Sequence, residues 1–177
     1  MKQGVNAVIL NDKEEVLLLR RADGKFKGCL TMPGGKVEPR ETLAQAMVRE
    51  VKEETNLNVI NYQFISKFYF SKIDVEIGLF FAKTNGKIKL DLRESSEYFY
   101  LKPTKDNVEK YFDQFENPNP EVIIDIFESV KNYLESRRKL MTLTNKSDVF
   151  FTDRGNRSIL LALKLAQKLG KTKAFIQ

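Results

Sequence analysis

The segment 34–57, with the sequence GGKVEPRETLAQAMVREVKEETNL, constrains the fold and chemistry of the chain most strongly. Two glycines and a short loop lead into a helix, on which successive residues are about 100° apart. One predicted face of this helix is apolar and consists of Ala44, Met47, Val48 and Val51. The neighbouring face is acidic and consists of Glu50, Glu53 and Glu54.

Such an acidic face is unfavourable without a partner. Glu50 and Glu54 are four residues apart, and like charges at that spacing cost about 0.2–0.5 kcal/mol in an isolated helix. Arg49 offsets part of this cost because it can reach Glu53 one turn later. A divalent cation explains the cluster more fully, since Mg2+ takes carboxylate oxygens together with water and substrate phosphates. A solvated acidic face without a ligand is the alternative.

The residues around the helix carry a family resemblance. The order and spacing of the Nudix box are matched by Gly35, Glu41, Arg49, Glu50, Val51, Glu53, Glu54 and Leu57. The segment therefore resembles the catalytic motif of Nudix hydrolases, which cleave a nucleoside diphosphate linked to another group with Mg2+ or Mn2+. Asn56 stands where the motif has glycine. Because asparagine tolerates a left-handed backbone, we predict that the helix still ends in that conformation.

The resemblance implies an α/β Nudix fold, in which a mixed β-sheet is sandwiched between helices. Residue patterns agree and predict strands at 4–10, 15–20, 58–65, 67–70 and 74–83, the last one central. We expect the first two strands to form a hairpin. The dipeptide Asn85-Gly86 predicts another hairpin with a return strand at 87–92, and Pro120 fits the first turn of a helix over 117–136.

The resemblance also implies roles for individual residues. Glu50, Glu53, Glu54 and a backbone carbonyl at the glycine pair, assigned to Gly35, would bind the metal. Glu41 would pair with Arg49, and both would orient the metal-binding carboxylates.

Glu97, which precedes three aromatic residues, is the predicted further metal ligand, with Glu94 as the alternative. The general base is Glu53, Glu50 or Glu97, and the sequence does not choose among them.

Two more residues match substrate-binding positions of MutT-type members. Arg21 corresponds to a basic residue that contacts the substrate phosphates, although a charge at a strand end is often only solvated. Asn119 corresponds to an asparagine that binds the guanine base in 8-oxo-dGTP diphosphatases. Asparagine is also a common helix N-cap, so the position has a purely structural alternative.

The composition excludes several kinds of chemistry. The 177-residue chain contains no histidine, so nucleophile–histidine pairs, zinc–histidine sites and a histidine base are excluded. Its one cysteine excludes an intramolecular disulfide and is typical of a reducing compartment. No apolar run is long enough to span a bilayer. We therefore expect a cytoplasmic protein.

The positive charge is concentrated near the C-terminus. The chain carries a net +6, but 137–177 holds ten basic and two acidic residues, or +8, which leaves −2 for 1–136. We predict a Nudix domain at 1–136 and a small basic α/β extension at 137–177. The extension would be a docking arm or a dimerisation element, and nucleic-acid contact is a less favoured role.

The expected activity is Mg2+- or Mn2+-dependent hydrolysis of a nucleoside triphosphate to the monophosphate and pyrophosphate. An oxidised purine nucleotide such as 8-oxo-dGTP is the preferred substrate. ADP-ribose, a nucleotide sugar or a dinucleoside polyphosphate is the alternative substrate. A rival of another class is a Nudix-fold binding module whose basic tail contacts nucleic acid.

Overall fold

The computed structural model describes residues 2–70, 74–115 and 120–144. The chain divides into two compact units, 1–130 and 131–177. Asn119 and most of the predicted extension, 145–177, lie outside the described residues. No helix in the described part is long and apolar enough to cross a membrane.

Seven strands and three α-helices make up the described fold. The strands are β1 (Lys2–Ile9), β2 (Val16–Arg21), β3 (Leu30–Thr31), β4 (Gly34–Lys36), β5 (Asn58–Phe70), β6 (Val75–Asn85) and β7 (Ser95–Leu101). The helices are α1 (Leu43–Thr55), α2 (Lys105–Tyr111) and α3 (Pro120–Thr144), and a 3-10 turn at Phe112–Gln114 follows α2.

The strands form two sheets. The larger is mixed, with the order β4-β1-β6-β5, and β1 and β6 run parallel. The smaller is antiparallel, with the order β3-β2-β7. The α1 helix packs on the larger sheet, and Tyr111 at the end of α2 lies 6.5 Å from the Phe99 ring of β7. This arrangement confirms the expected α/β class, and β6 is central as predicted.

The buried face of α1 is rotated relative to the predicted one. Ala46, Met47 and Val51 are fully buried, whereas Val48 is exposed. The predicted apolar stripe is therefore wrong at Val48. The reason is that α1 contacts the edge strand β4 as well as β1 and β5 of the sheet, so the buried face includes Glu54, which contacts Gly34 of β4.

Both ends of α1 are capped by side chains. Thr42 and Gln45 form a reciprocal capping box at the N-terminus. At the other end Asn56 has φ +60° and ψ +7°, which confirms the predicted left-handed residue. Lys52 Nζ donates to the carbonyl oxygen of Asn56 at 3.0 Å and to its Oδ1 at 2.9 Å. Asparagine thus keeps the turn and adds a polar contact that glycine would lack.

Both predicted hairpins are wrong for the same reason. β1 is flanked by β4 and β6, and β2 pairs in the other sheet. Among the described residues, an isolated antiparallel bridge between Leu10, just after β1, and Val16 is what remains of the first hairpin. β6 is flanked by β1 and β5, so no edge remains for a return strand at 87–92. That segment instead follows the end of α1, where the N–H of Lys89 donates to Thr55 O at 2.9 Å.

Two predicted elements are longer than the patterns suggest. The strands predicted at 58–65 and 67–70 form the one strand β5, because a bulge at Phe64/Ser66 absorbs the break in alternation. The last helix begins at Pro120 as expected but continues past 136 to Thr144. The boundary predicted between 136 and 137 therefore falls inside α3 and stays a prediction.

We predict that Asn56→Ala lowers the free energy of unfolding by about 1 kcal/mol, because alanine disfavours the left-handed conformation. Asn56→Gly should stay close to the wild type, since glycine accepts this conformation without strain. Urea unfolding of the two variants measures the difference. Equal loss in both would mean that the Lys52 contacts, and not the backbone conformation, stabilise this helix end.

Candidate active site

The site lies where the second half of α1 meets the glycine pair of β4. Glu54 is only 4% exposed, and its Oε2 accepts a hydrogen bond of 2.8 Å from the Gly34 N–H. A Cβ at position 34 would lie 2.8 Å from the Cα of Asn6 on the neighbouring strand. Glycine is therefore required here by the close approach of β4 to β1, and that approach brings the backbone to the carboxylate.

The second glycine accommodates the carboxylate of Glu50. A Cβ at Gly35 would lie 2.7 Å from Glu50 Oε2 and closer still to the rest of the carboxylate. The Glu50 side chain is 12% exposed. The two glycines thus make room for the buried Glu54 and the partly buried Glu50 on successive turns of α1.

Arg49 connects the carboxylates of the site. Its Nε and Nη2 donate to the two oxygens of Glu41 at 2.8 and 2.9 Å. Its Nη1 donates to Glu50 at 2.9 Å and to Glu53 at 3.0 Å. The structure therefore brings together all four box residues that the sequence assigned to catalysis, and a further bond of 2.9 Å from Nη2 to Lys36 O ties them to β4.

The protonation equilibria follow from burial and from Arg49. Burial raises the pKa of Glu54 to about 8, and the nearby charges of Glu50 and Glu94 add to the rise. Burial also raises the pKa of Glu50, against the opposing effect of Arg49. The hydrogen bond from Arg49 lowers the pKa of Glu41 to about 2. Two carboxylates are thus costly to ionise and a third stays ionised.

The acidic side chains surround the guanidinium and do not converge on one point. Within 2–70, 74–115 and 120–144, no three acidic, histidine or cysteine side chains stand close enough to hold a metal ion together. Glu53 is the outermost of the three helix glutamates, with its side chain 57% exposed. Within the cluster, Glu54 is therefore buried, Glu50 is partly buried and Glu53 is open to solvent.

Arg21, the predicted phosphate-binding residue, lies near the acidic cluster. Its positive charge lowers the pKa of Glu54, so the guanidinium is near the buried carboxylate. The register of β2 against β7 shifts between Arg20 and Arg21, and this bulge turns the two side chains to different surroundings. A cation beside the acidic cluster is suited to an anionic ligand.

Glu97 and Glu94 have different environments. Glu97 pairs across the strands with Arg20 and forms an ion pair with it. Glu94 lies just before β7 and is the residue whose charge raises the pKa of both Glu50 and Glu54. The 87–94 segment reaches this position because the Asp91 N–H donates to the Glu54 carbonyl at 3.3 Å. The predicted role of Glu97 stays a prediction, and Glu94 is the acidic residue that affects the cluster electrostatically.

Arg20 is a residue that the sequence patterns did not single out. Besides its ion pair with Glu97, its Nη1 donates to Gly28 O at 2.8 Å and lies 3.4 Å from Gln114 Oε1. Arg20 thereby joins the loop after β2 to the segment that leads towards position 119. An arginine at a strand end gives no sequence signal for such contacts, which depend on three distant segments.

Comparisons with known proteins agree with this geometry. The family model described as the NUDIX domain matches residues 1–117. A putative 8-oxo-dGTP diphosphatase of Bacillus subtilis is 28% identical over 134 residues, which cover 72% of this chain and 88% of that protein. An ADP-ribose pyrophosphatase of Methanocaldococcus jannaschii is 49% identical over 49 residues, which span only 29% of its length.

A solved structure is similar over most of its length. The MutT protein from Methanosarcina mazei superimposes with a TM-score of 0.57 at 28% identity, and the match covers 75% of this chain and 94% of that one. The family model matches well over half of the chain, and the box residues it contains stand together around Arg49. The chain therefore belongs to the Nudix family of hydrolases.

Proposed function

We propose that this hydrolase cleaves nucleoside triphosphates to the monophosphate and pyrophosphate in the presence of Mg2+ or Mn2+. The observation that carries the proposal is the buried Glu54 and the partly buried Glu50, packed against two glycines at which a Cβ would collide with neighbouring atoms. A buried pair of like charges is unfavourable without a counter-ion. A phosphate-bound divalent cation is the counter-ion that a nucleotide substrate brings.

The donor set fits a hard divalent cation. Carboxylate oxygens at Glu50, Glu53 and Glu54 and a backbone carbonyl at Gly35 are the ligand types that Mg2+ and Mn2+ prefer. The raised pKa of Glu54 supports the fit, because a cation would replace the proton that the buried carboxyl otherwise retains. When bound there, the ion would neutralise phosphate charge and lower the pKa of a coordinated water.

The residues of the chain have distinct roles in the proposed reaction. Arg49 holds Glu41, Glu50 and Glu53 together beside β4, and Glu50 and Glu53 would turn from the guanidinium to bind a cation. Arg21 supplies positive charge to the phosphates. A carboxylate, Glu53, Glu50 or Glu97, accepts the proton of the attacking water. The water oxygen bonds to phosphorus, the bridging P–O bond breaks, and pyrophosphate leaves with the electron pair.

The substrate proposal rests on the relatives. Two similar proteins, from Bacillus subtilis and Escherichia coli, are named for 8-oxo-dGTP diphosphatase activity, the second 36% identical over 75 residues that cover 58% of its length. We therefore favour a purine nucleoside triphosphate, with oxidised guanine as the first candidate. ADP-ribose is the second candidate. The Methanocaldococcus jannaschii relative named for that activity is 49% identical over 49 residues, whereas the Bacillus subtilis relative is 28% identical over 134 residues.

A screen of nucleotides with Mg2+, with products identified by chromatography, tests the proposed activity. We expect pyrophosphate from triphosphates and a drop of about 10²–10⁴-fold in kcat for Glu53→Gln. Glu109→Gln, at an exposed position of α2, serves as the matched control. Release of two monophosphates from ADP-ribose alone would replace the substrate proposal, and full activity of Glu53→Gln would remove Glu53 from the mechanism.

Glu54→Gln tests whether the buried carboxyl of Glu54 destabilises the metal-free protein when it ionises. In the metal-free protein the unfolded chain loses this proton near pH 4.5 and the folded chain near pH 8. Folding stability should therefore fall as pH rises between these values, and the neutral glutamine should remove the loss, which is about 2–4 kcal/mol at pH 8. Thermal unfolding with a chelator measures this. Adding Mg2+ should stabilise the wild type more than Glu54→Gln, and identical pH profiles would contradict the account.

Paired substitutions at Glu94 and Glu97 identify the further ligand. Because Glu94 is electrostatically coupled to Glu50 and Glu54, we expect Glu94→Gln to raise the Mg2+ concentration for half-maximal activity by about 10-fold. Glu97→Gln should have a smaller effect, since its ion pair with Arg20 occupies it elsewhere. Metal titrations of the hydrolysis rate decide between them, and the reverse order would assign the role to Glu97.

A further inference from the structure

A cavity of about 470 Å³ opens beyond the carboxyl ends of the parallel strands β1 and β6. Ile9 and Asn85, the last residues of these strands, form one side of it. The other residues used below come from the end of α1, from the segment after β6 and from β7, and they are Leu57, Lys87, Tyr98 and Tyr100. Open α/β sheets commonly bind ligands beyond the carboxyl ends of their strands, and the volume suits a small molecule.

The cavity is separate from the carboxylate cluster. Gly34, which contacts Glu54, pairs with Asn6 of β1. Ile9 is three residues further along that strand, so the cavity begins about 10 Å along the sheet from the glycine pair. The described residues that line it include neither glycine and none of the box carboxylates. A ligand in the cavity would therefore occupy a different place from a phosphate-bound cation at α1.

Two tyrosines form an aromatic wall of the cavity. The rings of Tyr98 and Tyr100 are 6.3 Å apart and nearly perpendicular, at 88°. Tyr98 is 45% exposed, whereas Ile9 and Leu57 on the apolar floor are buried. An exposed aromatic ring beside an apolar floor is a surface on which a planar ring can stack, and nucleobases stack on such rings whatever their sequence identity.

The charges around the cavity favour an anion on one side. Lys87 at the rim is exposed and has no ion-pair partner within 2–70, 74–115 and 120–144. Burial raises the pKa of Tyr100, and nearby Tyr98 and the charge of Asp12 add to the rise, so an acidic residue lies near the Tyr100 side. A negative group on a ligand is therefore attracted by Lys87 and repelled by Asp12.

We propose that this cavity is a further ligand site, which binds a nucleoside monophosphate with its base on the Tyr98 ring and its phosphate beside Lys87. A planar heterocycle that carries an anion at one end matches an aromatic wall with a cation at the rim. The choice of a monophosphate among such molecules rests on the proposed function, of which it is a product. The cavity itself does not depend on that function.

Calorimetric titration of the full chain with guanosine monophosphate in the presence of a chelator tests the inference. Without a divalent cation the carboxylates of α1 repel a phosphate, so the binding that remains reports the cavity. We expect Tyr98→Leu to weaken binding about 10-fold, because stacking on the ring is lost, and Tyr98→Phe to retain it. Lys87→Gln should weaken binding of the monophosphate about 3-fold and leave binding of guanosine unchanged.

Tyr69→Leu and Lys89→Gln are the matched controls. Both residues are exposed, and neither is among the described residues that line the cavity. Both variants should bind guanosine monophosphate as the wild type does, which separates loss of the cavity contacts from a general effect of losing a tyrosine or a lysine.

Three results would overturn the inference. Absence of binding by the wild type in chelator would exclude the site. Equal binding of ribose 5-phosphate and guanosine monophosphate would mean that no ring is recognised. Binding that Glu53→Gln alters and Tyr98→Leu does not would place the ligand at the carboxylate cluster. The proposed hydrolysis would stand in each case, and if no triphosphate is hydrolysed, the proposed function fails while the titration still decides the site.

Discussion

The fork of hydrogen bonds made by Arg49 is the interaction on which the site depends. One guanidinium binds Glu41 with two parallel bonds and holds Glu50 and Glu53 with another nitrogen. A lysine could not reproduce this planar arrangement. Without it, adjacent carboxylates on successive turns of α1 would repel one another and turn towards solvent. The arginine thus makes an acidic helix compatible with a packed fold while leaving negative charge available to a cation.

The glycine pair, Gly34 and Gly35, is the second constraint on the site. Because neither residue has a side chain, the backbone of β4 can approach its neighbours closely. Gly34 and Gly35 let β4 pair with β1 and at the same time approach α1 closely enough to meet Glu54 and Glu50. The helix therefore holds one buried and one partly buried carboxylate in its packed face, which is unfavourable for stability alone. The burial raises their pKa values, and a bound cation would offset the cost of ionising them. The same burial of carboxylates that lowers the stability of this part of the fold is what the proposed cation binding uses.

Local patterns predicted the site better than the topology. The spacing of 34–57 suffices for the pairs of Arg49 and for the left-handed Asn56, because these contacts lie within one motif. Both hairpins failed, since whether a strand has a free edge depends on strands far away in the chain. The same holds for Arg20, for the bulge beside Ser66 and for the coupling of Glu94 to the helix, which a linear pattern does not contain. The prediction for Val48 was wrong because α1 packs partly on the edge strand β4, which puts Glu54 in the buried face and leaves Val48 exposed.

The central claim is that the carboxylates of α1 and the backbone of the glycine pair bind a divalent cation. Crystals grown with Mn2+ and measured at an X-ray energy with strong manganese anomalous scattering test it directly. The account predicts an anomalous peak within bonding distance of Glu54, of Glu50 or Glu53, and of a backbone oxygen at Gly34 or Gly35. The account would be contradicted by high-quality anomalous data that show no peak at that position. The Arg49 guanidinium would then still be bonded to Glu41, Glu50 and Glu53.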